Sequence, residues 1–248
     1  MAALQPEENI VFGLVPARAG SKGIANKNLR TLNCSPLLSH SITYALNDPI
    51  VNKVFVSTDC EEIAKVSADF GADVPFLRPA EISGDLCRDE SFVAHFLEYL
   101  NSSLIDCDYI ALLRPTSPIR PVGIITQALE LAKKHKASCV RAVTDASCNP
   151  FKCWFEEKSD SPILSPVSSY LHEPYNAPRQ VLPRYYWQTG QLDLIHVESF
   201  NETKSITGNK IVGLFVDGDY AFDIDSLDDF KSVEGASNRL KPNQSFPQ

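Results

Sequence analysis

Residues 10–28 read IVFGLVPARAGSKGIANKN, and this stretch decides the fold class. Ile10–Val15 is a short apolar run, β-branched at several positions, which stops at Pro16 before a loop holding Gly20 and Gly23. That order predicts a buried strand running into a loop. Working outward, PLLSHSITYAL over Pro36–Leu46 spaces its apolar residues at helical intervals, and Lys53–Ser57 predicts a second strand, so the order is β, α, β. The rhythm continues with a helix over Glu61–Phe70, a short strand over Val74–Leu77 and a helix over Ser91–Leu100. It repeats through a strand over Tyr109–Leu113, a helix over Val122–His135 and a strand over Ser138–Val143. Parallel strands need helical crossovers, so the alternation predicts an α/β fold whose mostly parallel central sheet is covered on both faces.

After Asp145 the rhythm breaks. Residues 146–184 are rich in proline, serine and aromatics, with Trp154, Phe155, Tyr170 and Tyr175 set among Pro162, Pro166, Pro174, Pro178 and Pro183. A disordered linker is poorer in aromatics, so the stretch predicts an irregular inserted lobe that packs on the main body or on a second subunit. Strand character returns at Ile211–Val216 and again at Ala221–Asp225, and Ser226 with Asp229 three residues on predicts the start of a terminal helix. The expected organisation is one domain over residues 8–240, the lobe within it at 146–184, and a frayed tail at 241–248.

With 248 residues, 44% of them hydrophobic, the chain can bury a substantial core. Its formal charge of -8 opposes non-specific nucleic-acid binding, so any phosphate must meet a local basic cluster. The seven cysteines are odd in number, scattered and without a CxxC pair; they predict reduced thiols of a cytoplasmic protein and no zinc site. No basic-then-apolar leader and no run of about 20 apolar residues is present, so neither secretion nor membrane insertion is expected.

The loop after the first strand gathers Arg18, Ser21, Lys22 and Lys27 with two glycines. Glycines let the backbone approach an anion while the cations offset its charge, which suits a polyphosphate. The spacing is neither GxxxxGK[ST] nor GxGxxG. A solvated basic turn has the same composition, but ligands of α/β sheets collect at the carboxyl ends of the strands. Near the other end, Phe222-Asp223-Ile224-Asp225 sets two carboxylates two residues apart, on one face of a strand or strand end. Paired hard oxygens suit Mg2+ beside triphosphate oxygens. Asp225 as the polar start of the terminal helix is the other reading.

PARAGSKGIANKN, Ser57-Thr58-Asp59, Arg78-Pro79-Ala80-Glu81, Leu113-Arg114-Pro115-Thr116-Ser117-Pro118 and AFDIDSLDDF occur in the order found in acylneuraminate cytidylyltransferases. Over about residues 10–232 the chain resembles this CMP-sialic acid synthetase family. The resemblance implies a Rossmann-like nucleotide-diphosphosugar transferase fold, CTP as co-substrate, Mg2+, and a homodimer in which the inserted lobe serves as a dimerisation lobe. It implies transfer of CMP to the anomeric hydroxyl of an acidic 3-deoxy-2-keto sugar, with pyrophosphate released. Arg18, Ser21, Lys22 and Lys27 match positions that handle the CTP phosphates, and Asn28 completes that motif. Asp223 and Asp225 match the metal carboxylates, so Arg18, Lys22, Asp223 and Asp225 form the implied catalytic set. Arg78 stands near the nucleotide, and Arg179 and Gln180 match a pair near the sugar acid. Three departures bear on the acceptor: Arg114 stands where sialic acid enzymes carry glutamine near the sugar, Trp187-Gln188-Thr189-Gly190 replaces an asparagine-glycine, and Gly84–Asp89 has Asp85, Arg88 and Asp89 in place of serine and threonine. A metal-dependent glycosyltransferase of related fold and a non-catalytic nucleotide-binding module are the competing readings.

Overall fold

The computed structural model describes residues 9–20, 23–158, 162–168 and 171–240. Ser21, Lys22, Tyr170 and the tail at 241–248, all named above, lie outside the described residues.

Strand β1 (Val11–Pro16) is buried up to its last residue, as a central strand must be. A loop, a two-strand hairpin of β2 (Thr31–Leu32) and β3 (Ser35–Pro36), and helix α1 (Leu37–Leu46) lead to β4 (Val51–Ser57). Helix α2 (Glu61–Asp69) and helix α3 (Asp89–Ser102) precede β5 (Tyr109–Leu112), and α4 (Ile124–His135) precedes β6 (Cys139–Asp145). A second hairpin, β7 (Trp154–Glu156) with β8 (Leu164–Pro166), is followed by the long β9 (Tyr186–His196), α5 (Val197–Thr203), β10 (Ile211–Phe215) and α6 (Leu227–Leu240). Six strands form the main sheet in the order β10-β6-β9-β5-β1-β4. β1 pairs parallel with both β4 and β5, whereas β9 runs antiparallel to β5, with Leu112 opposite Asp193.

Alternation along β1 divides the core between the two faces of the sheet. Val11 and Val15 pack with Leu38 and Ile42 of α1 and Ile125 and Ala128 of α4, while Phe12 and Leu14 pack with Phe92, Val93 and Phe96 of α3. Between the first pair lies Gly13, where an added Cβ would stand 3.2 Å from the Cβ of Ala45. The missing side chain lets α1 settle close to β1. A third cluster joins Ile24, Leu32, Leu37 and Ile119 to Ile224, Phe230 and Val233, so the start and the end of the chain share one core.

The mostly parallel α/β sheet expected from the sequence is present. Two local readings need correction. Val74–Leu77 is not a strand; it approaches β4 only through isolated bridges at Asp73 and Leu77, because no continuous register forms there. Ala221–Asp225 is also irregular; Ile224 N–H donates to the Thr116 carbonyl at 2.9 Å, and no ladder forms. β9 and α5 were not read from the sequence. The terminal helix does begin as expected: the Asp229 carboxylate accepts from Ser226 N–H at 2.7 Å and Ser226 Oγ accepts from Asp229 N–H at 3.2 Å, a reciprocal capping box.

The described residues divide into two compact units. One comprises those up to Ala142 and from Thr189 onward, and holds the main core; the other comprises those of Val143–Gln188. In the second unit, Phe151 is buried with its ring 5.4 Å from that of Tyr185, and Lys152 Nζ donates to the Tyr175 and Ala177 carbonyls at 3.0 and 2.9 Å.

Candidate active site

Within the first unit, a cleft of about 380 Å³ opens at the carboxyl ends of β1 and β5. Its walls come from segments far apart in sequence, and each has a local reason for its shape. The loop after β1 is held by the Ser57-Thr58-Asp59 turn that ends β4. The Asp59 carboxylate accepts from Ala19 N–H at 2.8 Å, Thr58 Oγ1 accepts from Cys60 N–H at 3.2 Å, and Ser57 binds Arg78. Asn28, almost fully buried, donates from Nδ2 to the Arg18 carbonyl at 2.9 Å and so closes the loop on itself. Asn28 also lines the cleft.

Arg78 is 6% exposed. Its Nη2 donates to the Ser57 carbonyl at 2.6 Å, Nε donates to Ser57 Oγ at 3.1 Å, and its guanidinium lies 4.7 Å above the centre of the Phe92 ring. Burial lowers its pKa, opposed by the Asp59, Cys87 and Asp89 charges. A buried guanidinium bonded to Ser57 at the end of β4 and stacked on Phe92 of α3 is a fixed positive part of the cleft lining, unlike a solvated surface pair.

Another part of the lining joins segments near the two ends of the chain. Lys27 Nζ donates to the Ile224 carbonyl at 2.6 Å and pairs with Asp225 at 3.2 Å. Gly23 lies so close to the Asp225 carbonyl that an added Cβ would collide with it. Ile224 is fully buried between the exposed Asp223 and Asp225, so the strand-like alternation expected of this segment survives in its burial even though no strand forms. Both carboxylates turn outward from the third core cluster, and Asp225 lines the cleft. Among the described residues, no group of three or more His, Cys, Asp or Glu side chains is placed to hold a metal ion by itself.

Arg114 lines the cleft two residues after the end of β5. Its Nη2 donates to Asp89 at 2.5 Å and its Nη1 to Asp193 at 2.9 Å; Asp193, on β9 and 1% exposed, also accepts from Arg141 at 2.6 and 3.2 Å. Burial alone would lower the Arg114 pKa, but the Asp193 and Asp89 carboxylates outweigh it and hold it above the ordinary value. Beneath, the fully buried Arg120 donates to the Gln191 carbonyl and to the Arg114 carbonyl, both at 2.8 Å, which fixes the turn between β5 and α4. Arg18 reaches the cleft from the other side and pairs with Asp85 at 2.6 Å.

The structure thus brings together Arg18, Lys27, Asn28, Arg78, Arg114 and Asp225 around one cleft, with Asp223 exposed beside it in sequence. Arg179 and Gln180 belong to the second unit, in a 3-10 turn over Arg179–Val181; there Arg184, bonded to Asp145 at 2.8 and 2.9 Å, holds the Asp145 carboxyl below its usual range, with Arg179 adding to the effect. Five polar residues of the site were not singled out as functional from the sequence: Asp85, Asp89, Arg120, Arg141 and Asp193. Arg120 carried a signal in its place directly after Pro115–Ile119; Arg141 and Asp193 carried none, being distant from each other and from the motifs in sequence.

A family model described as cytidylyltransferase matches residues 12–150. The chain is 30% identical over 243 residues to the N-acylneuraminate cytidylyltransferase of Escherichia coli O18:K1:H7, an alignment covering 93% of this chain and 54% of that protein. It therefore spans about half the length of that relative. It is 32% identical over 230 residues to the CMP-N,N'-diacetyllegionaminic acid synthase of Campylobacter jejuni, covering 88% of this chain and 91% of that one. Among solved structures, a CMP:2-keto-3-deoxy-manno-octonic acid synthetase complexed with CTP shares the fold, with a TM-score of 0.67 at 16% identity, over 94% of this chain and 100% of that one.

Proposed function

The chain belongs to the cytidylyltransferase family, and on that premise we propose that it transfers CMP from CTP to the anomeric hydroxyl of a sialic-acid-like 3-deoxy-2-keto sugar acid. The observation that carries this reading is the junction of the basic loop after β1 with the Asp223–Asp225 segment in one cleft. A triphosphate with its metal needs fixed cations and carboxylates on the same side, and at that junction Lys27 stands beside Asp225.

In the proposed reaction the anomeric oxygen attacks the α-phosphorus, a new O–P bond forms, the bond to the β-phosphate oxygen breaks, and pyrophosphate leaves. Arg18 and Lys27, with Lys22, offset charge on the phosphate oxygens, and Arg78 fixes positive potential at the nucleotide side. Lys27 also bonds Asp225, so the same lysine would help orient that carboxylate. Two exposed carboxylates with hard oxygens fit Mg2+, which typically takes one or two carboxylates plus substrate phosphates and water. Asp223 and Asp225 would hold it, and when bound it supplies positive charge to those phosphates.

We further propose a homodimer built through the second unit, whose β7–β8 hairpin leaves Trp154, Phe155 and Leu164 44%, 51% and 53% exposed. Exposed aromatic side chains on a hairpin suit an interface core. Arg179 and Gln180, in the same unit, would serve the acceptor. No helix among the described residues is long and apolar enough to cross a membrane, and a cytoplasmic location, where CTP is available, fits the reading.

The test is incubation with each of the four nucleoside triphosphates, Mg2+ and a panel of 3-deoxy-2-keto sugar acids, read by pyrophosphate release and product mass. Pyrophosphate release with a CMP-sugar product from CTP is expected. Equal use of ATP would end the cytidylyltransferase reading, glycosyl transfer from a sugar nucleotide would favour the related glycosyltransferase, and binding of CTP without turnover would favour a nucleotide-binding module.

A further inference from the structure

The side chains of Asp89, Arg114, Asp193 and Arg141 form one chain of contacts from the cleft into the sheet. Its bonds are 2.5 Å from Arg114 to Asp89, 2.9 Å from Arg114 to Asp193, and 2.6 Å from Arg141 to Asp193. Two carboxylates and two guanidinium groups make the set neutral. Arg114 therefore brings no net positive charge to the cleft, and the sugar's carboxylate gains little from it.

What the chain does present is Asp89. It is the first residue of α3, where the helix dipole favours an anion, and its side chain is about one-third exposed and lines the cleft. Arg114 takes Oδ2, and a carboxylate has acceptor capacity on both oxygens, so Oδ1 retains its own toward a ligand. A triphosphate would be repelled there, and the cations placed for it, Arg18 and Lys27, stand on the loop after β1. Asp89 is thus matched to a group of opposite polarity, a hydroxyl or amide N–H.

We propose that Asp89 is a specificity-determining residue of the acceptor subsite, selecting 3-deoxy-2-keto sugar acids that present a hydroxyl or N–H donor to its carboxylate, with Arg114 and Asp193 as positioning residues behind it. The inference rests on the cytidylyltransferase reading. A mispaired acceptor is penalised because Asp89 is already committed to Arg114 and cannot swing away to find another partner. The cytosine amino group is the other donor that CTP would bring to this cleft, and the experiment separates the two.

Wild type, Asp89→Ala and Asp89→Asn are compared with N-acetylneuraminate, N,N'-diacetyllegionaminate and 3-deoxy-manno-octulosonate, and with analogues of each that lack one hydroxyl or N-acyl group. Steady-state kinetics are read alongside acceptor binding by saturation-transfer NMR. Asp89→Ala should raise KM for the preferred acceptor on the order of 10- to 100-fold, the loss of a hydrogen bond to a charged group, with the CTP KM unchanged. The analogue lacking the contacted donor should suffer the same loss with wild type and none with Asp89→Ala. An equal loss across every acceptor and analogue would assign Asp89 to the fold alone and overturn the proposal. So would a changed preference between CTP and UTP with an unchanged acceptor KM. If wild type releases pyrophosphate and the variant's acceptor KM is unchanged, the inference fails and the reaction stands. If wild type releases none, the reaction fails, and equal acceptor binding by wild type and variant, or none by either, removes the inference as well.

Discussion

Asp193→Asn tests the electrostatic scaffold behind the cleft. The wild-type carboxylate is 1% exposed and accepts from Arg141 at 2.6 and 3.2 Å and from Arg114 at 2.9 Å. Asparagine keeps the shape but removes the charge, leaving the four-residue chain with one surplus positive charge and turning an amide N–H2 toward a guanidinium. Removing one partner of a buried pair costs about 3–5 kcal/mol. Arg114 and Arg141 are 24% and 17% exposed at their side chains, and Arg114 keeps Asp89, so the lower end, about 3 kcal/mol, applies here. For a chain of this size each kcal/mol lowers Tm by roughly 2–4 °C, giving a drop of about 6–12 °C in calorimetry at neutral pH. Arg141→Gln should share part of that loss, and the double variant should fall short of the summed effects by about 0.5–3 kcal/mol. A Tm equal to wild type, or strict additivity in the double variant, would refute the buried pair as a source of stability.

Three further outcomes are expected. Asp225→Asn should melt like wild type and lose turnover on the order of 100-fold, measured by pyrophosphate release across a Mg2+ titration, since it removes a charge aimed at the phosphates and little else. The His40 pKa is lowered from 6.5, chiefly by burial, so the unfolded chain binds the proton first: its contribution is present above pH 6.5 and is lost as pH falls below it toward the folded value. Thermal melts of His40→Gln should show a shallower loss of Tm over that acid window than wild type; parallel curves would exclude His40 as the titrating group. Replacing Trp154 and Phe155 together by serine should weaken the proposed dimer at least about 30-fold, the effect of a hot spot worth 2 kcal/mol, seen by light scattering over a dilution series beside activity. An active wild-type monomer at every concentration would dismiss the assembly.

The elements that could be read from the sequence are those whose apolar pattern agrees with their burial. β1, α1 and α4 keep their expected places to within a residue or two because each is an apolar run or stripe bounded by a breaker such as Pro16, Pro36 or Gly123. β9 was hidden for the opposite reason. Thr189, Gln191 and Asp193 are buried polar residues on a strand, and they are tolerated only because partners from elsewhere satisfy them, such as the carbonyls of Ile119 and Tyr220 for Gln191. In the site, Arg18, Lys27 and the Asp223–Asp225 pair were legible because each motif is contiguous. Asp89 was noticed as a departure and not as a functional group, since an acid at a helix start needs no further explanation until Arg114, 25 residues away, is seen to hold it.

The bond between Lys27 Nζ and the Ile224 carbonyl spans 197 residues of chain. During translation at about 5–20 residues per second, the basic loop waits roughly 10–40 s for the segment that completes it. Through that interval a growing chain has the cations of the cleft but neither Asp223 nor Asp225. A message cut short before the Asp223 codon therefore yields a product lacking one part of the cleft lining, whatever else of the chain has folded.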